Sequence, residues 1–107
     1  MNVRRVLLDV DKAIQRPDLL ELAEAIDGVA GIDAVNITVT DIDIETVGMD
    51  VTVEGDGIDI RMLVTVIERA GAAVHSIDEV VAGSRLIERV ARRHELHALC
   101  AVHRARQ

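Results

Sequence analysis

The clearest pattern in the chain is an alternation of apolar and polar residues over residues 34–55. A period of two is typical of β-strands that have one buried face and one solvated face. The pattern predicts a β-hairpin, and we place its two-residue turn at Val47 and Gly48. This turn would set Ile44 opposite Val51, so that one face of the hairpin is apolar and the other carries carboxylates.

The apolar phase of this segment changes partway along it. The apolar positions are odd-numbered up to Val39, but they are even-numbered at Ile42 and Ile44. A β-bulge near Thr40 and Asp41 would keep both sets on the buried side of the sheet. Without a bulge, the far end of the hairpin would expose its apolar side as a surface suited to a partner subunit.

Four further elements flank the hairpin. Alternating residues predict a strand over residues 3–10, and apolar residues at helical spacing predict a helix over residues 17–27. After the hairpin, a second helix is expected to begin at the N-cap Asp59 and to end at Gly71. Residues 72–82 are β-branched and apolar enough for a fourth strand, which we expect to be irregular because its phase is ambiguous.

The predicted order of elements is βαββαβ, which is the ferredoxin-like arrangement of the α+β class. Two helices would cover one face of a four-stranded antiparallel sheet and leave its other face open. Beyond Ser84 the chain has no Gly or Pro and is rich in Arg, Ala and Leu, which predicts an extra C-terminal helix. We therefore expect a ferredoxin-like domain over residues 1–84 and a basic helical extension over residues 85–107, packed on the open face or extended toward a neighbour.

The charge is divided unequally between these two parts. Residues 1–84 hold six Lys and Arg against seventeen Asp and Glu, whereas residues 85–107 hold six Arg against two Glu. The acidic body would repel nucleic acid, and the chain has no Phe, Tyr or Trp on which bases could stack. We therefore do not expect a nucleic-acid partner, and we expect the basic tail to dock on the acidic body of its own or a neighbouring chain.

Cysteine content and hydropathy bear on the location of the protein. A single cysteine, Cys100, cannot form an internal disulfide. No apolar run reaches membrane-spanning length, and the N-terminal apolar run is too short for a signal peptide. We expect a cytoplasmic protein that has no membrane partner.

Several strings of residues resemble a known family. The segments NITVTDIDIET, VTVEGDGIDI and AAVHSIDEVVAG are similar to those of the small, mostly archaeal family called domain of unknown function 211, and the opening RRVLLDVDKA resembles its first strand. HSIDEVVAG, at residues 75–83, is the most specific string. The resemblance covers roughly residues 3–86 and departs from the family beyond about Glu88. It implies a ferredoxin-like fold and a tendency to form homo-oligomers, but it implies no reaction.

The first candidate site is a run of carboxylates at Asp41, Asp43 and Glu45. Alternate residues of a strand lie about 6.8 Å apart, so neighbouring carboxylates could share a hard cation such as Ca²⁺ or Mg²⁺. A flat strand supplies too few converging oxygens unless a loop or a second subunit completes the shell. The alternative is a solvated acidic face without a metal.

The second candidate site is in the tail, where His94, His97, Cys100 and His103 follow one another at intervals of three residues. Imidazole and thiolate groups are good ligands for Zn²⁺. One straight helix would present only two of the four to a single ion, because each step of three falls short of a full turn. A complete site would need a second chain, and the alternative is a tail with incidental histidines and a buried cysteine.

The third candidate site is the open face of the sheet, which could bind a ligand through Asn36, Thr38, His75 and Ser76, with Asp9 between them. In the predicted topology the second and fourth strands are the edges. Asn36 and His75 would therefore lie at opposite edges and would not form one compact catalytic group. The alternative is that this face is an interface or the seat of the extra helix.

The chain shows no nucleophile elbow, phosphate-binding loop or dinucleotide fingerprint, and we assign no catalytic residue. The preferred hypothesis is a homo-oligomeric binding or regulatory module whose acidic residues hold a divalent cation. The alternatives are a metal-handling protein that uses the His and Cys ligands of the tail, or an enzyme whose site forms between subunits.

Overall fold

The computed structural model describes residues 1–90 of the 107-residue chain. The elements follow the predicted βαββαβ order. They are β1 (Val3–Ala13), α1 (Leu19–Asp27), β2 (Ile32–Ile42), β3 (Thr46–Gly55), α2 (Ile60–Arg69) and β4 (Ala73–Ala82).

The four strands form one antiparallel sheet in the order β2-β3-β1-β4. The expectation that the first and third strands are central and the other two lie at the edges is confirmed. β4 changes register against β1 at three places, which confirms the irregular fourth strand. The fold is therefore the α+β, ferredoxin-like arrangement.

The core lies between the two helices and one face of the sheet. Both central strands contribute every second residue to it, and each helix contributes residues that recur at helical spacing. Ten of these side chains are fully buried, and full burial of such a side chain contributes about 1.5–3 kcal/mol. They are Val6, Leu8, Val10, Met49, Val51, Val53, Leu22, Ile26, Leu63 and Ile67.

Acidic caps define where both helices begin. The Asp18 carboxylate accepts a hydrogen bond from the Glu21 backbone N–H (2.8 Å), and the Glu21 carboxylate accepts one from the Asp18 N–H (2.9 Å). The Asp59 carboxylate accepts one from the Met62 N–H at 3.1 Å, which confirms the predicted N-cap of α2. These bonds satisfy backbone donors that have no partner within the helix.

The β2–β3 hairpin turns at residues 43–45, so the predicted turn at Val47 and Gly48 is wrong. Val47 and Gly48 are paired residues of β3, and Val51 lies opposite Ile37 instead of Ile44. Alternation continues on both sides of the true turn, so it did not mark the place where the chain reverses.

Local hydrogen bonds at Asp43 explain the true position of the turn. The Asp43 N–H donates to the Thr46 carbonyl at 2.8 Å, and the Asp43 carboxylate accepts from the Ile44 N–H at 2.8 Å. Short aspartate side chains stabilise turns in this way. Val47 continues the buried phase of β3 and is held in the strand.

The predicted bulge near Thr40 and Asp41 is confirmed, because the pairing of β2 with β3 shifts register between Val39 and Asp41. It does not bury the tip of the hairpin. Ile42 is 70% exposed and Ile44 is 87% exposed. The bulge places Ile42 on the helix side of the sheet, opposite Val47. At the tip of the hairpin, however, residues 1–90 do not cover that side of the sheet, and Ile42 stays exposed.

The chain after β4 differs from the expected helix. Residues 85–90 contain no helix, and the remainder of the predicted extra C-terminal helix lies outside the described residues. Gly83 turns the chain with a φ of 126°, a conformation that glycine adopts without steric cost. No helix within residues 1–90 is both long enough and apolar enough to span a membrane.

Candidate functional site: the open face of the sheet

The face of the sheet that turns away from the helices is called here the open face. It is formed by the polar phase of each strand. From the central strands it receives Arg5, Leu7, Asp9 and Asp11 of β1 and Gly48, Asp50, Thr52 and Glu54 of β3.

One row of paired residues crosses the whole open face. Thr38 of β2 lies opposite Asp50 of β3, Asp50 opposite Asp9 of β1, and Asp9 opposite Ser76 of β4. Two of the predicted ligand-binding residues, Thr38 and Ser76, therefore share a row. They are three strands apart, which is roughly 14 Å at the usual strand spacing, so they do not converge.

The predicted residues at the two edges form separate polar pairs. The Thr38 hydroxyl donates to the Asn36 side-chain oxygen at 2.7 Å, and the Ser76 hydroxyl donates to the Asp78 carboxylate at 2.8 Å. The His75 Nδ1 lies 3.8 Å from the Asp9 carboxylate. Asn36 and His75 lie on opposite edge strands, as expected from the topology.

Four aspartates gather on the middle of the open face, and we call Asp9, Asp11, Asp41 and Asp50 the central acidic patch. Asp9 and Asp50 are direct partners on the two central strands, where their β-carbons lie about 4.5–5.5 Å apart. Gly48 lies between the other two: a β-carbon added there would be 3.5 Å from an Asp11 carboxylate oxygen and 3.6 Å from the Asp41 β-carbon.

The structure separates the three predicted metal ligands. Asp41 belongs to the central acidic patch, but Asp43 and Glu45 lie in the turn of the hairpin. The Asp43 carboxylate already accepts the hydrogen bond from Ile44. Within residues 1–90, no three His, Cys, Asp or Glu side chains lie close enough together to hold a metal ion.

The second predicted metal site, His94, His97, Cys100 and His103, lies outside the described residues. The Zn²⁺ hypothesis attached to these residues stays a prediction.

An arginine-centred cluster, not expected from the sequence, occupies one end of the open face. The Arg5 guanidinium donates two hydrogen bonds to the Glu88 carboxylate, both at 3.0 Å, and one to the Glu54 carboxylate at 2.9 Å. Glu79 lies 3.9 Å from the same guanidinium. The sequence gives one signal for this cluster, because the alternation in β1 assigns Arg5 to the polar face of the sheet. The position of its partner Glu88 could not be predicted, because Glu88 follows the last strand and belongs to no alternating pattern.

The electrostatics of this cluster follow from those contacts. The hydrogen bonds to Glu88 and Glu54 raise the pKa of Arg5 above its ordinary value, although partial burial acts in the opposite direction. The same hydrogen bond and charge interaction with Arg5 lower the pKa of Glu88. A planar guanidinium that binds a carboxylate through two parallel bonds fixes its direction as well as its distance.

Comparison with known proteins identifies the family. A model of the DUF211 family, described as uncharacterized ArCR, matches residues 4–96. The chain is 43% identical over 89 residues to a Methanocaldococcus jannaschii protein called uncharacterized protein MJ0319, and the alignment covers 83% of this chain and 91% of that protein. The resemblance was expected to end near residue 86, which is wrong because the match continues to residue 96. The chain belongs to the DUF211 family, domain of unknown function 211.

Proposed function

We propose that the protein is a cytoplasmic, homo-oligomeric binding or regulatory module whose open face holds a divalent cation such as Ca²⁺ or Mg²⁺. The observation that carries this proposal is the direct pairing of Asp9 with Asp50 at the centre of the sheet. Like charges placed directly opposite each other destabilise a sheet, and a bound cation would remove that repulsion.

The number of ligands supports self-association. Ca²⁺ takes six to eight oxygen ligands. Because no three candidate side chains within residues 1–90 converge on one point, carboxylate oxygens from a second copy would add to the ligands that one copy supplies. Two copies that meet at the central acidic patch would supply these oxygens.

The tip of the β2–β3 hairpin supplies a surface for association. Ile42 and Ile44 are exposed at neighbouring positions, and Val39 is 39% exposed on the same edge strand. Contiguous apolar surface on an edge strand is typical of an interaction site.

The cation is tested by isothermal titration calorimetry of Ca²⁺ and of Mg²⁺ into the full-length chain. We expect saturable binding, weakened at least tenfold in Asp50→Asn and unchanged in Asp33→Asn, an exposed aspartate at the other end of β2. Absence of saturable binding by both ions, or equal affinity in the two variants, would contradict the cation site.

The same kind of titration, with Zn²⁺ as the ion, distinguishes the proposed open-face site from the alternative hypothesis of a metal site in the tail. A metal-handling protein that binds Zn²⁺ through its tail would lose binding in His94→Ala/His97→Ala and would keep it in Asp50→Asn. The proposed site predicts the opposite pattern, because its ligands are carboxylates of the open face.

Self-association is tested by size-exclusion chromatography with light scattering at tens of micromolar. We expect a multimer of defined mass, a smaller mass for Ile44→Asp, and an unchanged mass for Leu20→Asp. Leu20 is a matched control because it is an exposed apolar residue (77%) that lies on α1 and not on the hairpin. A monomeric wild-type chain would contradict the proposal.

A further inference from the structure

The segment that follows β4 returns across one end of the open face. Leu7, Val81 and Ile87 line a shallow hollow together with the acidic Glu79 and Glu88. Val81 pairs with Arg5 and shares its face, yet it is only 5% exposed. Residues 84–90 therefore already cover the Arg5 end of this face.

The Arg5–Glu88 pair anchors that segment at a defined place. The Arg5 side chain is 13% exposed and holds both carboxylate oxygens of Glu88. Along β1, Asp9 and Asp11 follow Arg5 on the same face, with Asp50 beside them on β3. The chain beyond Glu88 thus starts on the same face as the central acidic patch, with Asp9 roughly 13 Å from Arg5 along β1.

Charge and length both match the uncovered part of the face. Residues 91–107 contain four arginines, at positions 92, 93, 104 and 106, against a single glutamate at position 95. From Arg5 to Asp11 the strand extends roughly 20 Å. Residues 91–107 would span roughly 25 Å even if all of them formed an α-helix, which is longer than the distance from Arg5 to Asp11.

We propose that residues 91–107 dock across the open face of their own chain, with Arg92 and Arg93 against the central acidic patch. Docking of the tail is a proposal beyond the function proposed above. The docked tail competes with a divalent cation for the same carboxylates, so the tail acts as a built-in competitor that a cation or a partner displaces. The intramolecular Arg5–Glu88 anchor favours the tail of the same chain over that of a neighbour.

The unique cysteine provides the test. A nitroxide attached to Cys100 broadens the NMR signals of nearby amides in the full-length, ¹⁵N-labelled protein. We expect amides of Asp9, Asp50 and Thr52 to lose at least half of their intensity, and amides of Leu20 and Arg61 on the helices to keep most of theirs. Stronger broadening on the helices, or equal broadening everywhere, would overturn the proposal.

Charge-reversal variants test the attraction itself. Arg92→Glu/Arg93→Glu should abolish the selective broadening, whereas Arg61→Glu/Arg69→Glu, a charge-matched change on α2, should leave it intact. Raising the salt concentration to 1 M should also weaken it, because the Debye length falls from about 10 Å at 0.1 M to about 3 Å. Selective broadening that survives both treatments would overturn the charge-based docking.

A mixing experiment identifies the source of the tail. Unlabelled chains that carry the nitroxide are combined with ¹⁵N-labelled chains that carry none. After allowance for the fraction of nitroxide-carrying chains, we expect the open-face amides to be broadened less in this mixture than within a single labelled chain, even where two copies meet at this face. Equal or stronger broadening in the mixture would assign the docked tail to a neighbouring copy and overturn the proposal. None of these measurements uses a divalent cation, so their failure is distinguishable from failure of the cation site.

Discussion

The two faces of the sheet are built from the same strands but follow different rules. On the helix side, Val6, Leu8 and Val10 of β1 are fully buried by residues of the same chain. On the open side, Asp9 and Asp11 alternate with them and lie beside a further aspartate of β3. On the helix side, packing within residues 1–90 buries the apolar residues of the central strands, whereas the open side carries charged groups, of which Arg5 is paired with Glu54 and Glu88.

Lys12 shows how strictly the helix side excludes charge. It lies in the apolar phase of β1 and is only 7% exposed, but its ammonium group donates to the carbonyls of Ala13 and Ile14, each at 3.0 Å. A long lysine side chain can bury its methylene groups while its charged end reaches polar partners. The charged group of Lys12 is therefore accommodated on the helix side near the end of β1, where backbone carbonyls accept its hydrogen bonds.

The largest expected effect compares Leu8→Ala with Leu7→Ala. Leu8 is fully buried under the helices, so its truncation leaves a cavity and should lower the free energy of unfolding by about 2–5 kcal/mol. Leu7 lies on the open face, and its truncation should cost clearly less. Urea denaturation at one fixed protein concentration measures both, and equal losses would contradict the difference between the faces.

The next effect compares two glycines of β3. Gly55 lies in the phase of the helix side, and an added β-carbon would collide with the Gly31 backbone carbonyl. Gly48 lies in the phase of the open face, where the same atom would make ordinary contacts of 3.5 Å or more. Gly55→Ala should lower the free energy of unfolding by about 1–3 kcal/mol, as overpacking typically does, and Gly48→Ala by much less. Thermal unfolding of the two variants measures both losses of stability. A larger loss in Gly48→Ala than in Gly55→Ala would contradict the prediction.

A smaller effect of opposite sign is expected for Asp50→Asn. Removing one of two directly opposed charges should raise the free energy of unfolding by about 0.2–1 kcal/mol at low salt without divalent cations. Asp33→Asn serves as the control and should change little. Chemical denaturation at low and high salt checks the prediction, since the gain should shrink as salt screens the repulsion. A loss of stability in Asp50→Asn at low salt would show that the two charges are already compensated.

The smallest effect concerns the pH dependence of the Arg5–Glu88 pair. Because the pKa of Glu88 is lowered in the folded protein, the pair contributes stability that is fully present above the unfolded pKa of a glutamate, about 4.3. That contribution is lost as the pH falls through the lower, folded pKa. An NMR titration should show the Val81 and Ile87 amides shifting in this acidic window, and Glu88→Gln should remove the shift. A wild-type shift centred above the usual pKa of a glutamate would contradict the assigned contact.

Much of the fold could be predicted from local pattern. Alternation identified the strands, helical spacing with Asp59 as a cap located α2, and the change of phase near Thr40 identified the bulge. Each of these features depends on residues close together in the chain. The position of the hairpin turn was missed because the Asp43 side chain stabilises a turn inside a stretch whose alternation gave no sign of it.

The candidate site was predicted only in part. Thr38 and Ser76 were assigned to one face, and the structure sets them in one row. The pairing of Asp9 with Asp50 was not foreseen, because the misplaced turn and the unknown register of β1 against β3 concealed which residues are neighbours. A shift of one residue in strand register exchanges the two faces, so register decides the content of a site.

The sequence by itself determined the order of elements, the apolar stripe that each buries and the unequal division of charge, because period, capping and composition are local properties. Only the tertiary structure decided that four aspartates lie on one face of the sheet and that Glu88 returns to Arg5. Those contacts join residues far apart in the chain, and their pairing depends on how the strands are aligned in the folded sheet.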